Sequence, residues 1–212
     1  MRRVLCYGDS NTWGYIPGSG GRYVFSSRWT GILQVKLGDE VQIIEDGLNG
    51  RTTATDDPGH SGRNGVAVLG PVLKRYAPLD LVVIMLGTND MKRDFQLSAE
   101  AISRGAGMLV KIVKEYHSMT PVPEILLISP PRIRFLPFTS RTIFEEAESK
   151  SSTLPLGYER VATECDCHFF NATEIVAASL IDGVHLGKRA HLKLGEALAE
   201  KVKEILSLTD ST

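Results

Sequence analysis

Short apolar runs alternate along this sequence with longer stretches of helical periodicity, and this alternation limits the fold more than any other feature. Five runs are rich in β-branched, aromatic or other apolar residues, and most end at Gly, Asn, Asp or Pro, which favour turns. The predicted strands are Arg3–Tyr7, Val41–Glu45, Leu81–Leu86, Ile125–Ser129 and His168–Asn171. Continuous apolar runs are typical of parallel strands covered on both faces. The runs therefore predict a parallel sheet buried between helices.

Helical stretches fill the gaps between the predicted strands. They are Arg28–Leu37, Asn64–Tyr76, Ser98–His117, about Arg141–Cys165, and Lys188–Ser207. The last stretch repeats apolar residues at a spacing of about 3.6, the period of a helix with one buried face. Strand and helix in alternation predict an α/β sandwich. Because the 212 residues contain no repeat and no dividing linker, we predict a single domain over residues 1–212.

Charge and composition exclude several classes of function. The formal net charge of −1 leaves no basic excess to attract a phosphate backbone, so nucleic acid is not an expected partner. The longest strongly apolar run, Leu81–Leu86, is far shorter than the roughly 20 residues that span a bilayer. The N-terminus lacks the apolar region of a secretory signal. Three cysteines do not read as a disulfide framework. We therefore predict a cytoplasmic protein with no membrane partner.

The spacing of the cysteines gives little support to a metal site. Cys165 and Cys167 form a C-x-C pair, but no second pair lies nearby to complete a zinc site. We predict that both are small, half-buried strand residues and that the protein holds no metal.

Four short polar motifs stand where predicted strands end or where the last helix begins. They are Gly8-Asp9-Ser10-Asn11, Gly47-Leu48-Asn49-Gly50, Gly87-Thr88-Asn89-Asp90 and Asp182-Gly183-Val184-His185. Each is weak alone, because a turn, a helix cap or a loop that bonds to itself would explain it. The ends of neighbouring parallel strands lie side by side, however, and ligands bind outside their carboxyl ends. We therefore expect Ser10, Gly50 and Asn89 to meet at one edge of the sheet.

One active site would explain all four motifs. A serine hydroxyl becomes a nucleophile when a base within hydrogen-bond reach takes its proton, and a carboxylate usually orients that base. Ser10, His185 and Asp182 are the candidates for nucleophile, base and orienting acid. The tetrahedral intermediate also needs donors for its oxygen. The backbone N–H groups of Ser10 and Gly50 and the side-chain amide of Asn89 are the candidates for this oxyanion hole.

This set of motifs, in this order, resembles the SGNH (GDSL-type) hydrolases, a family named for its Ser, Gly, Asn and His. Gly8-Asp9-Ser10 is similar to the first block of the family and Gly50 to its glycine. Gly87-Thr88-Asn89-Asp90 is similar to the third block and Asp182-x-x-His185 to the last. The resemblance implies a flavodoxin-like three-layer α/β/α sandwich with a five-stranded parallel sheet. It also implies ester hydrolysis through an acyl-serine, without a metal or organic cofactor.

Three stretches look closest to the bacterial arylesterase and acyltransferase branch of that family. They are Gly8–Gly14, Arg28–Gly31 and Arg51–Thr53. The sequence departs from the family at one motif position, because Asn11 follows the nucleophile where the GDSL motif has Leu. Since that side chain belongs to no catalytic triad, the departure is expected to alter only the shape of the pocket.

Several polar or aromatic residues near the motifs have both a structural and a functional interpretation. Asp9 is expected to brace the nucleophile turn and Asp90 to cap the helix that follows it. Arg51 would line the cleft or pair with an acid on a neighbouring loop, and Trp13 would bind substrate or simply pack. The other histidines are expected to be surface or packing residues without a nearby acid. They are His60, His117, His168 and His191.

Two irregular segments would be either surface connections only or the walls of the cleft. Tyr15–Ser27 follows the first strand and Pro130–Ser140 follows the fourth, and connections at such positions often carry function. The second segment contains Phe135-Leu136-Pro137-Phe138, an apolar stretch in a predicted loop. Exposed apolar patches often mark interfaces, so we predict a homo-oligomer.

The leading hypothesis is a serine esterase that hydrolyses small carboxylic esters, of aryl alcohols or as acetyl esters of carbohydrates, with acyltransferase activity in addition. The same residues would equally serve a thioesterase or lysophospholipase. A hypothesis of a different class is a non-catalytic flavodoxin-like module that binds an anionic ligand at a helix N-terminus. Labelling of Ser10 by a serine-directed probe would separate the enzymes from the binding module.

Overall fold

Five parallel strands form the central sheet of the molecule, which a computed structural model describes for residues 1–116, 121–134, 136 and 143–208. The strands are β1 (Arg2–Gly8), β2 (Val41–Gly47), β3 (Leu81–Met85), β4 (Glu124–Ser129) and β5 (His168–Asn171). Their spatial order is β2-β1-β3-β4-β5, and every neighbouring pair is parallel. This is the strand order of flavodoxin-like doubly wound sheets. The predicted strands and the predicted fold class are confirmed.

Six α-helices connect or follow the strands in the described part of the chain. They are α1 (Ser10–Trp13), α2 (Trp29–Leu37), α3 (Gly65–Tyr76), α4 (Ala99–Lys114), α5 (Ala147–Glu164) and α6 (Lys188–Leu206). The side chains of Asn64 and Ser98 cap α3 and α4 by accepting from backbone N–H groups of the first turn. The four-residue α1 was not predicted. The predicted start of α5 at Arg141 was wrong, because residues 143–146 form a turn and bend; residues 141–142 lie outside the described residues.

Apolar side chains cover both faces of the sheet. Along β1 the side chains alternate, so that Val4 and Cys6 pack with α2 and α6 on one face. Leu5 and Tyr7 pack with α3, α4 and α5 on the other face. A buried strand therefore carries apolar residues at every position, and the molecule has three layers with a core on each side of the sheet.

The carboxyl ends of the three strands that precede the first three polar motifs are level with one another. Gly8 at the end of β1 pairs with Gly47 of β2 and with Met85 of β3. A side chain at Gly47 would collide with the backbone nitrogen of Trp13, so this glycine lets α1 pack directly against the end of β2. The chain leaves β1 for β2 on one side and returns to β3 on the other. The motifs therefore gather at the switch point of the sheet.

Candidate active site

Ser10 is the first residue of α1, on the turn that leaves β1. The side chain of Asp9 caps this helix, because its Oδ1 accepts a hydrogen bond from the backbone N–H of Asn11 at 2.9 Å. Asp9 thus braces the nucleophile turn, as expected. Ser10 is 4% exposed. The turn therefore holds a nearly buried hydroxyl in a fixed position at the end of β1.

His185 links the Ser10 hydroxyl to a carboxylate. Its Nε2 lies 3.0 Å from Ser10 Oγ and its Nδ1 lies 2.8 Å from Asp182 Oδ2. The other oxygen of Asp182 accepts from the backbone N–H groups of Val184 and His185 at 3.1 and 3.0 Å. An ionised carboxylate only accepts hydrogen bonds, so the proton of a neutral His185 belongs on Nδ1 and Nε2 is free to accept from Ser10. The three predicted residues therefore form one hydrogen-bonded chain.

The electrostatics of Asp182 keep it ionised. Partial burial acts to raise its pKa, but hydrogen bonds from the His185 ring and from the His185 and Val184 backbones outweigh burial. The net effect is a pKa below the ordinary value of an aspartate. Asp182 is therefore charged at neutral pH, as a group that orients and stabilises an imidazolium must be.

The three predicted oxyanion donors lie on the turns after β1, β2 and β3. In the described part of the chain, no acceptor bonds the backbone N–H of Ser10 or of Gly50. Gly50 has φ +82°, a conformation that favours glycine. The side-chain Nδ2 of Asn89 donates to the carbonyl of Arg51 at 3.0 Å, which uses one of its two N–H bonds. Two backbone N–H groups and the second N–H of the Asn89 amide therefore remain available to bind an oxyanion.

Asp90 does not cap a helix, contrary to expectation. It is fully buried and its carboxylate accepts from both the backbone N–H and the hydroxyl of Thr53, at 2.9 and 2.6 Å. Burial raises the pKa of Asp90 to about 6, although the Thr53 hydrogen bonds act to lower it. The Asp90–Thr53 hydrogen bonds therefore link the loop after β2, which carries Gly50, to the loop after β3, which carries Asn89.

Arg51 pairs with an acid on a neighbouring element, which was the structural one of its two interpretations. Its guanidinium donates to the carbonyl of Gly8 at 2.9 Å and pairs with the Asp46 carboxylate at 2.7 Å. It also lies 4.1 Å above the ring centre of Tyr7. Arg51 therefore fastens the end of β1 to the end of β2, beside the nucleophile turn.

Two side chains beside Ser10 and His185 were not identified from sequence as part of the site. The ring of Tyr15 stacks on the His185 imidazole, with centroids 4.1 Å apart and planes 26° apart. The carboxamide of Asn11 bonds to the backbone on both sides of His185, so its effect is more than a change of pocket shape. The signal for Tyr15 was its place in the predicted cleft wall, and the signal for Asn11 was its departure from the family motif.

The first predicted wall segment contacts His185, and the second contacts the loop that carries His185. Tyr15–Ser27 supplies Tyr15, and Arg22 from this segment lies 4.9 Å above the ring centre of half-buried Trp13. From the second segment, the backbone N–H of Arg134 donates to the carbonyl of Gly183 at 2.8 Å. Residues 135 and 137–140 of that segment lie outside the described residues. A substrate role for Trp13 stays a prediction.

The other histidines differ from expectation in detail. His60 and His168 do have acidic partners, since their ring nitrogens lie 3.2 Å from Asp57 and 3.1 Å from Glu124. His191 is fully buried, and its Nδ1 accepts from the backbone N–H of Trp29 at 3.2 Å. His117 lies outside the described residues. Of the four histidines described, His185 is the one whose ring contacts a serine hydroxyl.

Within the residues that the structure describes, there is no cluster of metal ligands and no membrane-spanning helix. No cluster of three or more His, Cys, Asp or Glu side chains there is arranged to hold an ion. Cys165 and Cys167 lie between α5 and β5, so the prediction that they are strand residues was wrong. Among the described helices, none is long and apolar enough to cross a bilayer.

Comparison with known proteins gives matches over nearly the whole chain. The sequence model of the GDSL-like Lipase/Acylhydrolase family matches residues 6–193. The native aryl esterase of M. smegmatis is 37% identical, over 97% of this chain and 100% of that one, with a TM-score of 0.93. Est24, a carbohydrate acetylesterase from Sinorhizobium meliloti, is 38% identical over the same shares, also with a TM-score of 0.93. A search of curated proteins gave no match.

Proposed function

This chain belongs to the GDSL-like lipase/acylhydrolase family and is a serine esterase, and from that premise we propose that Ser10, His185 and Asp182 carry out its reaction. In this proposal Ser10 is the nucleophile, His185 the general base and acid, and Asp182 the group that orients the imidazole. The observation that supports it most is the continuous chain from Ser10 Oγ through His185 to Asp182, with links of 3.0 and 2.8 Å.

Ester hydrolysis then proceeds in two balanced steps. Ser10 Oγ bonds to the ester carbonyl carbon while its proton passes to His185 Nε2, and the carbonyl oxygen becomes an anion. The N–H groups of Ser10 and Gly50 and the amide of Asn89 bind that anion. Collapse of the intermediate breaks the ester C–O bond, and the leaving alcohol takes the proton from His185. Water then attacks the acyl-serine by the same route, which releases the carboxylic acid and restores Ser10.

We infer that the substrates are small carboxylic esters. The names of the two relatives, an aryl esterase and a carbohydrate acetylesterase, support esters of aryl alcohols or acetyl esters of carbohydrates. An alcohol that replaces water in the second step would make the enzyme an acyltransferase. A thioesterase or lysophospholipase would use the same residues, and a panel of esters and thioesters of graded acyl length separates these substrates. Turnover that rises steadily towards long acyl chains would contradict the small-ester proposal.

A serine-directed phosphonate probe tests the catalytic assignment directly. We expect stoichiometric labelling of the folded protein at Ser10 and no labelling of Ser10→Ala, because phosphonates react with an activated serine in place of the ester carbonyl. Absence of labelling in folded wild-type protein would favour the non-catalytic binding module instead.

A cytoplasmic location is also proposed. All three cysteines are free, and Cys6 is buried inside β1, which is usual for proteins of a reducing compartment. Fractionation of the native cell tests this location, and recovery of the protein outside the cytoplasm would contradict it.

A further inference from the structure

Asn11 is the residue in which this chain departs from the GDSL motif, and its side chain reaches the backbone around His185. Its Oδ1 accepts from the backbone N–H of Leu186 at 2.9 Å. Its Nδ2 donates to the carbonyl of Val184 at 3.4 Å. A single carboxamide on the residue after the nucleophile therefore contacts the residue before the base and the residue after it.

These two bonds cross a long gap in sequence. Asn11 and Leu186 are 175 positions apart, as are Ser10 and His185. Between α1 and residues 182–186, the described hydrogen bonds are these two and the Ser10–His185 bond itself. The Ser10–His185 bond must break and re-form during the reaction, whereas the Asn11 bonds involve no reacting atom. Asn11 is thus suited to hold the two segments together while the proton moves.

Because both partners are buried, loss of the two Asn11 hydrogen bonds would be costly. Asn11 is 2% exposed and Leu186 is 0% exposed, so the two bonds are shielded from bulk water. A leucine at position 11 is about as large but offers no hydrogen bond, which would leave the Leu186 N–H unsatisfied in the interior. The loop would then shift to find a new partner, and His185 would move with it.

Other described hydrogen bonds hold the loop that carries His185, and none of them involves α1. Asp182 bonds the Val184 and His185 N–H groups within the loop, and the Ser179 N–H bonds the His185 carbonyl at 2.8 Å. The Arg134 N–H bonds the Gly183 carbonyl from the segment after β4. These bonds shape the loop but do not set its distance from α1. The stacked ring of Tyr15 bounds the imidazole on one face. The carboxamide of Asn11 is placed to set the remaining coordinate, the separation of Ser10 Oγ and His185 Nε2.

We propose that Asn11 is a positioning residue that keeps His185 in register with Ser10. The proposal rests on the proposed function of those two residues. The Asn11 carboxamide bonds backbone groups of Val184 and Leu186 and none of the atoms that react, and it acts through the backbone of the His185 loop.

Asn11→Leu and the smaller Asn11→Ala test the proposal. Because a displacement of about 1 Å between reacting groups can lower a rate 10²-fold, we expect kcat to fall roughly 10- to 100-fold, with KM changed less than about twofold. The rate of phosphonate labelling at Ser10 should fall in parallel, because labelling needs the same proton transfer. Val202→Ala is the matched control: Val202 is buried near the end of α6, about 20 Å along the helix from Lys188 at its start. The change should lower the melting temperature and leave kcat unchanged.

A double-mutant cycle separates positioning of His185 from general support of the fold. In a His185→Ala background the base is gone, so Asn11→Leu should change the residual rate by less than about twofold. A further tenfold fall in that background would mean that Asn11 supports Ser10 or the oxyanion hole instead. Wild-type kcat in folded Asn11→Leu would overturn the proposal, while failure of the wild-type protein to react at Ser10 would overturn the proposed function.

Discussion

At the scale of single residues, the proposed mechanism makes the activity of Ser10 depend on two hydrogen bonds in series, Ser10 to His185 and His185 to Asp182. A hydroxyl without a base is a weak nucleophile, and a base without an orienting acid spends part of its time in the wrong tautomer. The contributions of these residues are therefore expected to be coupled.

The first prediction concerns this coupling. Ser10→Ala and His185→Ala should each lower kcat roughly 10⁴-fold or more, and the double variant should be little worse than either, because each change alone disables the same proton transfer. Asp182→Asn should cost less, since Asp182 only orients the imidazole. Steady-state kinetics with a chromogenic acetyl ester measure all four variants.

His60→Ala is the matched control for these variants. Asp57 and His60 have the same Asp-x-x-His spacing as the catalytic pair and lie 3.2 Å apart, but the His60 ring is largely exposed. The change should leave kcat within about twofold of wild type. His191 would be a poor control because it is buried. A His185→Ala enzyme with more than about a tenth of wild-type turnover would refute the catalytic assignment.

The second prediction concerns Asn89. The structure removes the helix-cap alternative, since Asn89 lies inside its 3₁₀ turn and the cap position carries no side-chain bond. As an oxyanion donor, Asn89→Ala should lower kcat roughly 10²–10³-fold, or about 3–4 kcal/mol of barrier, with a much smaller change in KM. The reason is that the donor faces charge that exists only in the transition state.

The competing role of Asn89 is purely structural, through its bond to the Arg51 carbonyl. Loss of that bond alone should cost about 1 kcal/mol of stability and leave kcat intact. Thermal denaturation and kinetics on the same preparation therefore distinguish the two roles. A folded Asn89→Ala enzyme with near-normal kcat would assign Asn89 to the turn and remove one of the three oxyanion donors.

At the scale of secondary-structure elements, α6 packs against the beginning of α2 through a buried histidine. His191 of α6 accepts from the backbone N–H of Trp29, the first residue of α2, which otherwise has no helical partner. Burial, with the charges of Arg28 and His185, lowers the pKa of His191 to about 4. The imidazole is therefore neutral in the folded protein across the range in which a free histidine titrates.

The third prediction follows from that shift. Between about pH 7 and 4.5 the unfolded chain binds a proton at His191 and the folded protein does not, so stability falls as the pH falls. The contribution of His191 is about 2 kcal/mol over this interval, for a pKa that drops from 6.5 to about 4. Between pH 7 and 4.5, the free energy of unfolding of His191→Gln should therefore fall by that much less than the free energy of unfolding of the wild-type protein.

Denaturant titrations at the two pH values measure this difference. Asp90 has the opposite effect, because a raised pKa makes stability fall as the pH rises, but Asp90 is present in both proteins and cancels. His60→Gln, at an exposed position, should keep the wild-type dependence. An unchanged pH dependence in His191→Gln would show that His191 is charged or mobile in the folded protein.

At the scale of the whole molecule, the strand order places the site. The chain departs from β1 towards β2 and then crosses to β3 on the other side, so three turns open at one edge of the sheet. The loop before α6 adds His185 and Asp182 from above that edge. The sheet thus supports a site built from the first residue of α1, the turns after β2 and β3, and the loop before α6.

The fourth prediction concerns assembly. Of the apolar stretch Phe135-Leu136-Pro137-Phe138, Leu136 alone lies within the described residues, so the homo-oligomer remains a prediction from sequence. Sedimentation velocity at micromolar concentration should give a species larger than the 23.2 kDa chain. Phe135→Ser combined with Phe138→Ser should shift the protein towards monomer. A clean monomer in wild-type protein would contradict the prediction.

Much of the fold and the candidate site could be predicted because the signals are local. Strand runs and terminal glycines are read directly from neighbouring residues, and Gly8 and Gly47 do end β1 and β2. The start of α5 was missed because the residues before Ala147 carry no cap signal, and Glu146 makes no side-chain cap bond. The role of Asp90 was missed because its partner, Thr53, lies 37 positions away.

The sequence by itself determined the strand and helix alternation, the parallel sheet and the identity of Ser10, Asp182 and His185 as candidates, because periodicity and short motifs depend on adjacent residues. Tertiary structure alone decided which polar groups meet across the sheet edge. The contacts of Asn11 with Leu186 and of Tyr15 with His185 join segments about 170 residues apart, a separation at which no local pattern constrains the partner. Only packing of the strands and loops brings such side chains within hydrogen-bond or stacking distance.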